Sequence, residues 1–349
     1  MIEEVALPRQ FSERVSRERS GGYSHPMNKQ MILAAVPALN EEATIAAVLA
    51  GIPREIGGHP VDVLVVDDGS NDRTAELARS AGAFVISHGR NMGLGEAFRT
   101  MLGFAREGGY HYLATIDADG QFDPGHLPVL AAPVLSGRFD FATASRFADP
   151  SLTPRMPRLK RTGNRWVARL VSRLSGISVK DATCGFRFYG PRSLDKVSCL
   201  SRFTYTQEVV IDLAMKGMRI SEVPLTIKGE RASGKSRIAG NLWRYAVLST
   251  EAMYSVAHGH SPWRVYGGPA LFLLGLGILM DLFVFAHWLA TGKVTPFAGL
   301  GIGGLFLITF GILVLLFASV ADIGSSNRKL LESLLETETR NRREQSREA

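Results

Sequence analysis

Residues 113 to 124 read LATIDADGQFDP, an apolar run that stops abruptly in Asp117, Asp119 and Asp123, with Gln121 between the last two. A run this short and this apolar fits a strand buried on both faces, and acids crowded at its tip put that tip at a surface. Four further runs share the pattern: MILAAVP (31–37), VDVLVVDD (61–68), AFVISH (83–88) and FDFATAS (139–145). Between them EEATIAAVLAGI, RTAELARSAG and GEAFRTMLGFAREGG carry apolar residues at helical spacing. Strand and helix alternating in this way predict an α/β domain, a mostly parallel sheet with helices on both faces. In such sheets ligands lie outside the carboxyl ends of the strands.

The acids therefore face the ligand crevice. Asp117 and Asp119, two apart, can direct their oxygens toward one ion, and oxygen ligands with open positions suit Mg²⁺ or Mn²⁺ held jointly with substrate phosphates. A second strand ends in Asp67-Asp68-Gly69-Ser70, and the first in Pro37-Ala38-Leu39-Asn40-Glu41-Glu42, where Asn40 equally fits a helix cap. Capping explains one such cluster, hardly three.

The C-terminal part is of a different kind. Residues 267–290 and 296–321 are each longer than the roughly 20 apolar residues that cross a bilayer as helix. Only TGKVT separates them, so they read as a hairpin of two transmembrane spans. Arg264 before it, with Arg328 and Lys329 after it, places both termini on the cytoplasmic side. Asp281, near the middle of the first span, is costly in lipid and is expected to pack within the hairpin or against a neighbouring subunit, near His287. The two cysteines, Cys184 and Cys199, read as free thiols in a cytoplasmic domain.

The formal charge of +7 is not spread evenly. From Ser151 to Val179 there is no acid, while Arg155, Arg158, Lys160, Arg161, Arg165, Arg169 and Arg173 all fall there. Beside a membrane anchor such a stretch suits anionic lipid head groups or a phosphate; a solvated helix face is the plainer alternative. Nucleic acid is not the expected partner.

Taken in order, PALNEE, VVDDGSNDRT, NMGLGEA, DADGQ, SRF, KRTGN, DATCGFRFY, the QE of YTQEVV, EVP and RASGKSR resemble the family 2 glycosyltransferases of the GT-A fold. The likeness is greatest to the polyprenyl-phosphate sugar synthases, the dolichyl-phosphate mannose synthases among them, and covers about residues 30 to 240. The resemblance implies that Pro37, Leu39, Glu41, Val66 and Asp68 hold the base and ribose of a nucleotide sugar, GDP- or UDP-linked. It further implies that Asp117, Ala118, Asp119 and Gln121 bind the metal, Mg²⁺ or Mn²⁺, and the diphosphate. Arg146, Arg231, Lys235 and Arg237 would neutralise phosphates, and Arg161 would meet the acceptor phosphate, while Arg187 is expected to be structural or supportive. Asp119, Arg146 and Arg161 are thus the catalytic candidates. The chain departs from many relatives at Leu39, where they have Tyr, and at Gly234-Lys235-Ser236-Arg237, where they have Gly-Glu-Ser-Lys. The second change keeps a cation there, and arginine offers phosphate a planar fork.

The implied reaction is inverting, metal-dependent transfer of a hexose, most often mannose or glucose in this family, to a polyprenyl monophosphate such as a dolichyl or undecaprenyl phosphate. The alternative is a membrane-anchored transferase acting on another lipid or on a protein. A processive polysaccharide synthase is disfavoured by the lack of a Gln-x-x-Arg-Trp segment, and a nicotinamide dehydrogenase by PALNEE where a Gly-x-Gly-x-x-Gly turn belongs. The expected organisation is a disordered arm over 1–27, a catalytic domain over 28–238, a juxtamembrane amphipathic segment over 239–264, two spans within 265–322 and a charged tail over 323–349. The sequence leaves oligomeric state, a homo-oligomer included, open.

Overall fold

The computed structural model describes residues 30–154, 156, 158–199, 201, 205–228, 242–260 and 262–348. The arm over 1–27 and the RASGKSR segment with Arg231, Lys235 and Arg237 lie outside the described residues. The chain divides into two compact units, one ending at Met253 and the other beginning at Tyr254.

In the first unit all five predicted strands form. They are β1 (Ile32–Ala38), β3 (His59–Asp67), β4 (Phe84–Ser87), β5 (Tyr112–Thr115) and β6 (Phe141–Ser145). Three more join them: β2 (Glu55–Ile56), β7 (Arg187–Tyr189) and β8 (Ile220–Pro224). The order is β2-β3-β1-β5-β7-β6-β8, with β4 also paired to β3, on the edge away from β1. β1 pairs in parallel with β3 and β5, and all seven of its residues are buried, as a central strand covered on both faces must be. Pro37 sits past the last β1–β5 pair, Ala35 with Thr115, so its missing N–H interrupts no rung of that ladder.

The sheet is mostly parallel, as expected, with antiparallel pairs at two places: β7 runs antiparallel to both β5 and β6, and β2 antiparallel to β3. A three-residue strand is too short to show periodicity in sequence, and β7 is inserted between partners that precede it in the chain. Its reversal has a consequence for the site: the residues leading into β7 arrive at the edge where β1, β3, β5 and β6 end.

The helices between the strands are α1 (Ile45–Ala50), α2 (Thr74–Ser80), α3 (Leu94–Glu107) and α4 (Leu127–Leu135), followed by α5 (Arg158–Ser175), α6 (Pro191–Lys196) and α7 (Thr206–Met215). α3 shows why they form where they do: Ala97, Phe98, Met101, Leu102, Phe104 and Ala105 make one buried stripe. α8 (Leu242–His260), whose residues from Tyr254 onward belong to the second unit, lies within the expected juxtamembrane segment, with Ser249, Met253, Val256 and Ala257 buried and Tyr254 exposed.

The second unit holds α9 (Pro262–Thr291) and α10 (Ala298–Glu348). Val265–Thr291 and Ala298–Asn327 are each long and apolar enough to cross a membrane, and only 11% of each apolar window is buried. Buried core helices would be mostly covered, so the sparse burial favours lipid-facing surfaces. α10 runs on past the second span as one helix to Glu348, through the stretch read as a charged tail.

The two spans meet along small residues. Ala270, Gly277 and Val284 are buried on α9, and Gly304, Gly311, Ala318 and Ser325 on α10, each set seven residues apart. This is the repeat of helices packed at a shallow left-handed crossing. A Cβ on Gly277 would lie 2.7 Å from the carbonyl oxygen of Gly304, so side chains larger than hydrogen do not fit. Asp281 packs inside this seam, where a Cβ on Gly304 would lie 2.8 Å from its carboxyl carbon. His287 lies six residues further along α9. His287 Nε2 is 3.2 Å from the carbonyl oxygen of Thr295, because the turn folds back over the last helical turn.

Candidate active site

The register of the sheet assembles the site. β1 and β3 end level, with Pro37 opposite Val66 and Ala38 opposite Asp67. Beyond them the two chain segments are stapled. The backbone N–H of Asn40 donates to Ser70 Oγ (2.8 Å), that of Asn71 to Asn40 Oδ1 (2.8 Å), and that of Glu41 to Thr74 Oγ1 (2.8 Å). Asn40 adopts φ 50°, a left-handed value that asparagine tolerates better than most residues. It is therefore a link between strand ends and not the helix cap that its position also allowed. Glu41 is buried at the start of this turn, Leu39 is half-buried, and Val66 is fully covered in the sheet.

Asp67 and Asp68 diverge. Asp67 accepts the N–H of Ser70 (2.9 Å) and closes its own turn. Asp68 points the other way, accepting the N–H groups of Met92 and Gly93 (both 2.9 Å) at the start of α3. Its Oδ1 also lies 2.8 Å from His88 Nδ1, and His88 Nε2 is 3.0 Å from Thr100 Oγ1. A carboxylate at a helix N-terminus, met by backbone donors, is favourably placed for its charge. NMGLGEA is thus folded onto VVDDGS through Asp68.

One strand over, β5 delivers Asp117, half-buried, and Asp119, buried. Asp119 Oδ1 accepts the N–H of Gln121 (3.0 Å), an Asx turn that fixes the loop. Gln121 is bound in turn to the chain after β8: its carbonyl accepts the Lys228 N–H (3.1 Å), and its side-chain amide lies 3.4 Å from the Lys228 carbonyl. Gly185 approaches from the chain entering β7, so close that a Cβ there would sit 2.8 Å from both carboxylate oxygens of Asp117. Only glycine fits. Among the described residues no set of three or more His, Cys, Asp and Glu side chains could enclose a metal by itself. A pair of carboxylates with open positions fits a hard divalent ion that completes its shell with phosphate oxygens.

Arg146 follows β6 onto the same edge. Its Nε and Nη2 donate to Asp181 at 2.7 and 2.8 Å, and Nη2 also reaches Thr183 Oγ1 at 2.5 Å. Asp181 is fully buried, Arg146 15% exposed. Burial raises the Asp181 carboxyl, but the Arg146 guanidinium, with hydrogen bonds from Arg146 and Thr183, outweighs it and holds the group below the ordinary carboxylate range. Arg146 is therefore aimed by a carboxylate. Arg161, on the first turns of α5, is exposed. Arg187 is wholly buried and donates to the carbonyls of Cys184 (2.8 Å) and Thr206 (2.5 Å), a bracing role. Both cysteines are free and buried, and burial pushes the Cys184 thiol up to about 12, so it offers no thiolate at neutral pH.

The sequence and the fold match known proteins. The chain fits the glycosyl transferase family 2 over residues 34–198. It is 37% identical over 194 residues to the dolichyl-phosphate hexose transferase of Haloferax volcanii, spanning 55% of this chain and 80% of that protein. It is 30% identical over 249 residues to the polyprenol monophosphomannose synthase of Mycolicibacterium smegmatis, spanning 68% of this chain and 88% of that one. The chain belongs to glycosyl transferase family 2. Among solved structures, the fold of this family 2 glycosyltransferase is similar to that of glucosyl-3-phosphoglycerate synthase from Mycobacterium tuberculosis in complex with Mg²⁺ and uridine diphosphate. The TM-score is 0.51 at 21% identity, with 70% of this chain and 83% of that one covered.

Two elements of the site escaped sequence reasoning. His88 ends a short strand and carries no motif, and its link to Asp68 exists only because β4 lies beside β3. Asp181 heads DATCGFRFY, but its partner is 35 residues earlier. A signal was present in principle: a lone acid ahead of an apolar strand needs a cation if the strand is buried.

Proposed function

We propose that this glycosyltransferase moves a hexose from a nucleotide sugar to a polyprenyl monophosphate, with inversion at the anomeric carbon, on the cytoplasmic face of a membrane. The observation that carries the reading is the convergence of Asp117, Asp119, Glu41, Asp68 and Arg146 on one sheet edge in a chain that also has two apolar helices of spanning length. Relatives named for dolichyl phosphate and for polyprenol support the acceptor.

On this reading Glu41 and Asp68, with Pro37, Leu39 and Val66 behind them, cradle the nucleoside. Asp117 and Asp119, supported by Gln121, hold Mg²⁺ or Mn²⁺. When bound, that ion neutralises charge on the departing diphosphate. Arg146, oriented by Asp181, lies at the phosphates, and Arg161 takes the acceptor phosphate. Arg231, Lys235 and Arg237 supply further cations for the diphosphate. An oxygen of the acceptor phosphate forms the new bond to the anomeric carbon as the bond to the donor diphosphate breaks on the opposite face.

No protein base is required. A phosphate monoester has a second pKa of about 6 and is largely a dianion at neutral pH, whereas a sugar or serine hydroxyl must lose its proton as it attacks. The test uses donor, divalent ion and a short polyprenyl phosphate, with the product analysed by mass. Arg161→Ala should weaken use of the lipid phosphate far more than donor binding, and the free alcohol should not react. Efficient transfer to unphosphorylated polyprenol would overturn the mechanism and favour another acceptor.

A further inference from the structure

The exposed face of α5 is not accounted for by the transfer reaction. Ala168, Val171 and Ser175 are its buried residues, whereas Arg161, Arg165, Trp166, Arg169 and Arg173 are exposed. At about 100° per residue these five fall within one arc of about 140°, which begins beside the buried stripe at Arg161 and ends at Trp166. Along the axis Arg161 and Arg173 are about 18 Å apart at 1.5 Å per residue. No acidic residue lies between 151 and 180, and no ion pair joins the four arginines to a carboxylate among the described residues. Trp166 is 54% exposed at the edge of this cationic arc.

A single acceptor phosphate explains Arg161 but not the rest, since one head group cannot span about 18 Å of helix. A solvated face explains the arginines but not an indole left half in water beside them. Tryptophan favours the head-group layer of a bilayer, with its ring in the apolar boundary and its N–H in the polar zone. Arginines in an arc to one side of it complement anionic lipid, and their long stems lie along the apolar boundary while their charges reach phosphate.

We propose that the Arg165, Trp166, Arg169 and Arg173 face of α5 docks on anionic lipid head groups. It rests on the reading above only in placing the enzyme at a bilayer. Docking makes turnover depend on the anionic fraction of the membrane, beyond what anchoring by the spans provides. Each arginine contributes about a five-fold factor to the docking equilibrium, so three together contribute on the order of 100-fold.

The experiment uses the full chain. Trp166 is made the sole tryptophan by changing Trp243, Trp263 and Trp288 to Phe, and the protein is reconstituted in vesicles whose lipids carry brominated chains. Phosphatidylglycerol vesicles should quench Trp166 emission; phosphatidylcholine vesicles should not. High salt, or Arg165→Gln with Arg169→Gln and Arg173→Gln, should relieve the quenching. Equal quenching in both lipids, quenching in neither, or a response to an RNA oligonucleotide without one to lipid would overturn the proposal. A second measurement keeps the other tryptophans. The triple arginine variant should match the parent in detergent micelles and, in phosphatidylglycerol vesicles, fall to its phosphatidylcholine rate; an unchanged rate in phosphatidylglycerol overturns the proposal. Quenching needs neither donor nor acceptor, so loss of docking and a wrong substrate assignment give different results.

Discussion

Replacing Asp181 with Asn isolates what holds Arg146 in place. The carboxylate accepts five hydrogen bonds, from Arg146 N, Nε and Nη2 and from Thr183 N and Oγ1, at 2.7 to 3.2 Å. Asparagine keeps the shape, removes the charge and turns an amide N–H₂ toward one of these donors. Removing one member of a buried ion pair costs about 3–5 kcal/mol. Arg146 retains some exposure and can rehydrate, so the lower end, about 3 kcal/mol, is expected. The cost should depend on pH. Because the folded-state carboxyl is held below its unfolded value, its contribution is full above the unfolded pKa of about 3.9 and is lost as pH falls through the lower folded value. Denaturant unfolding of the full chain in detergent at pH 7 and in acid measures both effects. The gap between parent and variant should be wide at pH 7 and should close below about pH 4. Turnover should fall as well, since Arg146 loses its orientation, and Arg146→Gln in the variant should add little further loss. A stability loss under about 1 kcal/mol at pH 7, or a gap that does not change with pH, would refute this reasoning.

Three other outcomes are expected. Asp119→Asn should reduce metal-supported turnover by on the order of 100-fold or more, because one charged ligand goes from a site with few; titration with Mg²⁺ and Mn²⁺ checks it, and normal turnover would remove Asp119 from the metal site. His88→Ala should raise KM for the nucleotide sugar by roughly ten-fold with a smaller change in kcat, since Asp68 loses one of its donors. His88→Asn, whose amide can approach the Nδ1 position, should recover part of the loss. Gly304→Ala should destabilise the helical hairpin by about 1–3 kcal/mol, because the new Cβ meets the Gly277 carbonyl oxygen at 2.9 Å and the Asp281 carboxyl carbon at 2.8 Å. Gly275→Ala, with open space around it, is the control in the same thermal unfolding assay.

By itself the sequence determined the features that depend on local pattern. Five apolar runs of strand length, three helices at 3.6-residue spacing and two apolar stretches of spanning length were legible, because burial imposes a period on residues close in the chain. Acids at strand ends marked the crevice because parallel strands, once inferred, must share their carboxyl edge. Nothing local showed that β7 runs backward between β5 and β6, and that reversal brings Gly185 against Asp117 and Asp181 against Arg146. Likewise Asp68 and His88, 20 residues apart, meet only because β4 lies beside β3. Asp281 was legible as a group that must avoid lipid, but its place against Gly304 depended on the register of two helices. Residue types and their periods are written along the chain, whereas an ion pair or a hydrogen bond between distant residues is set by the registers and crossings that only packing the whole fold decides.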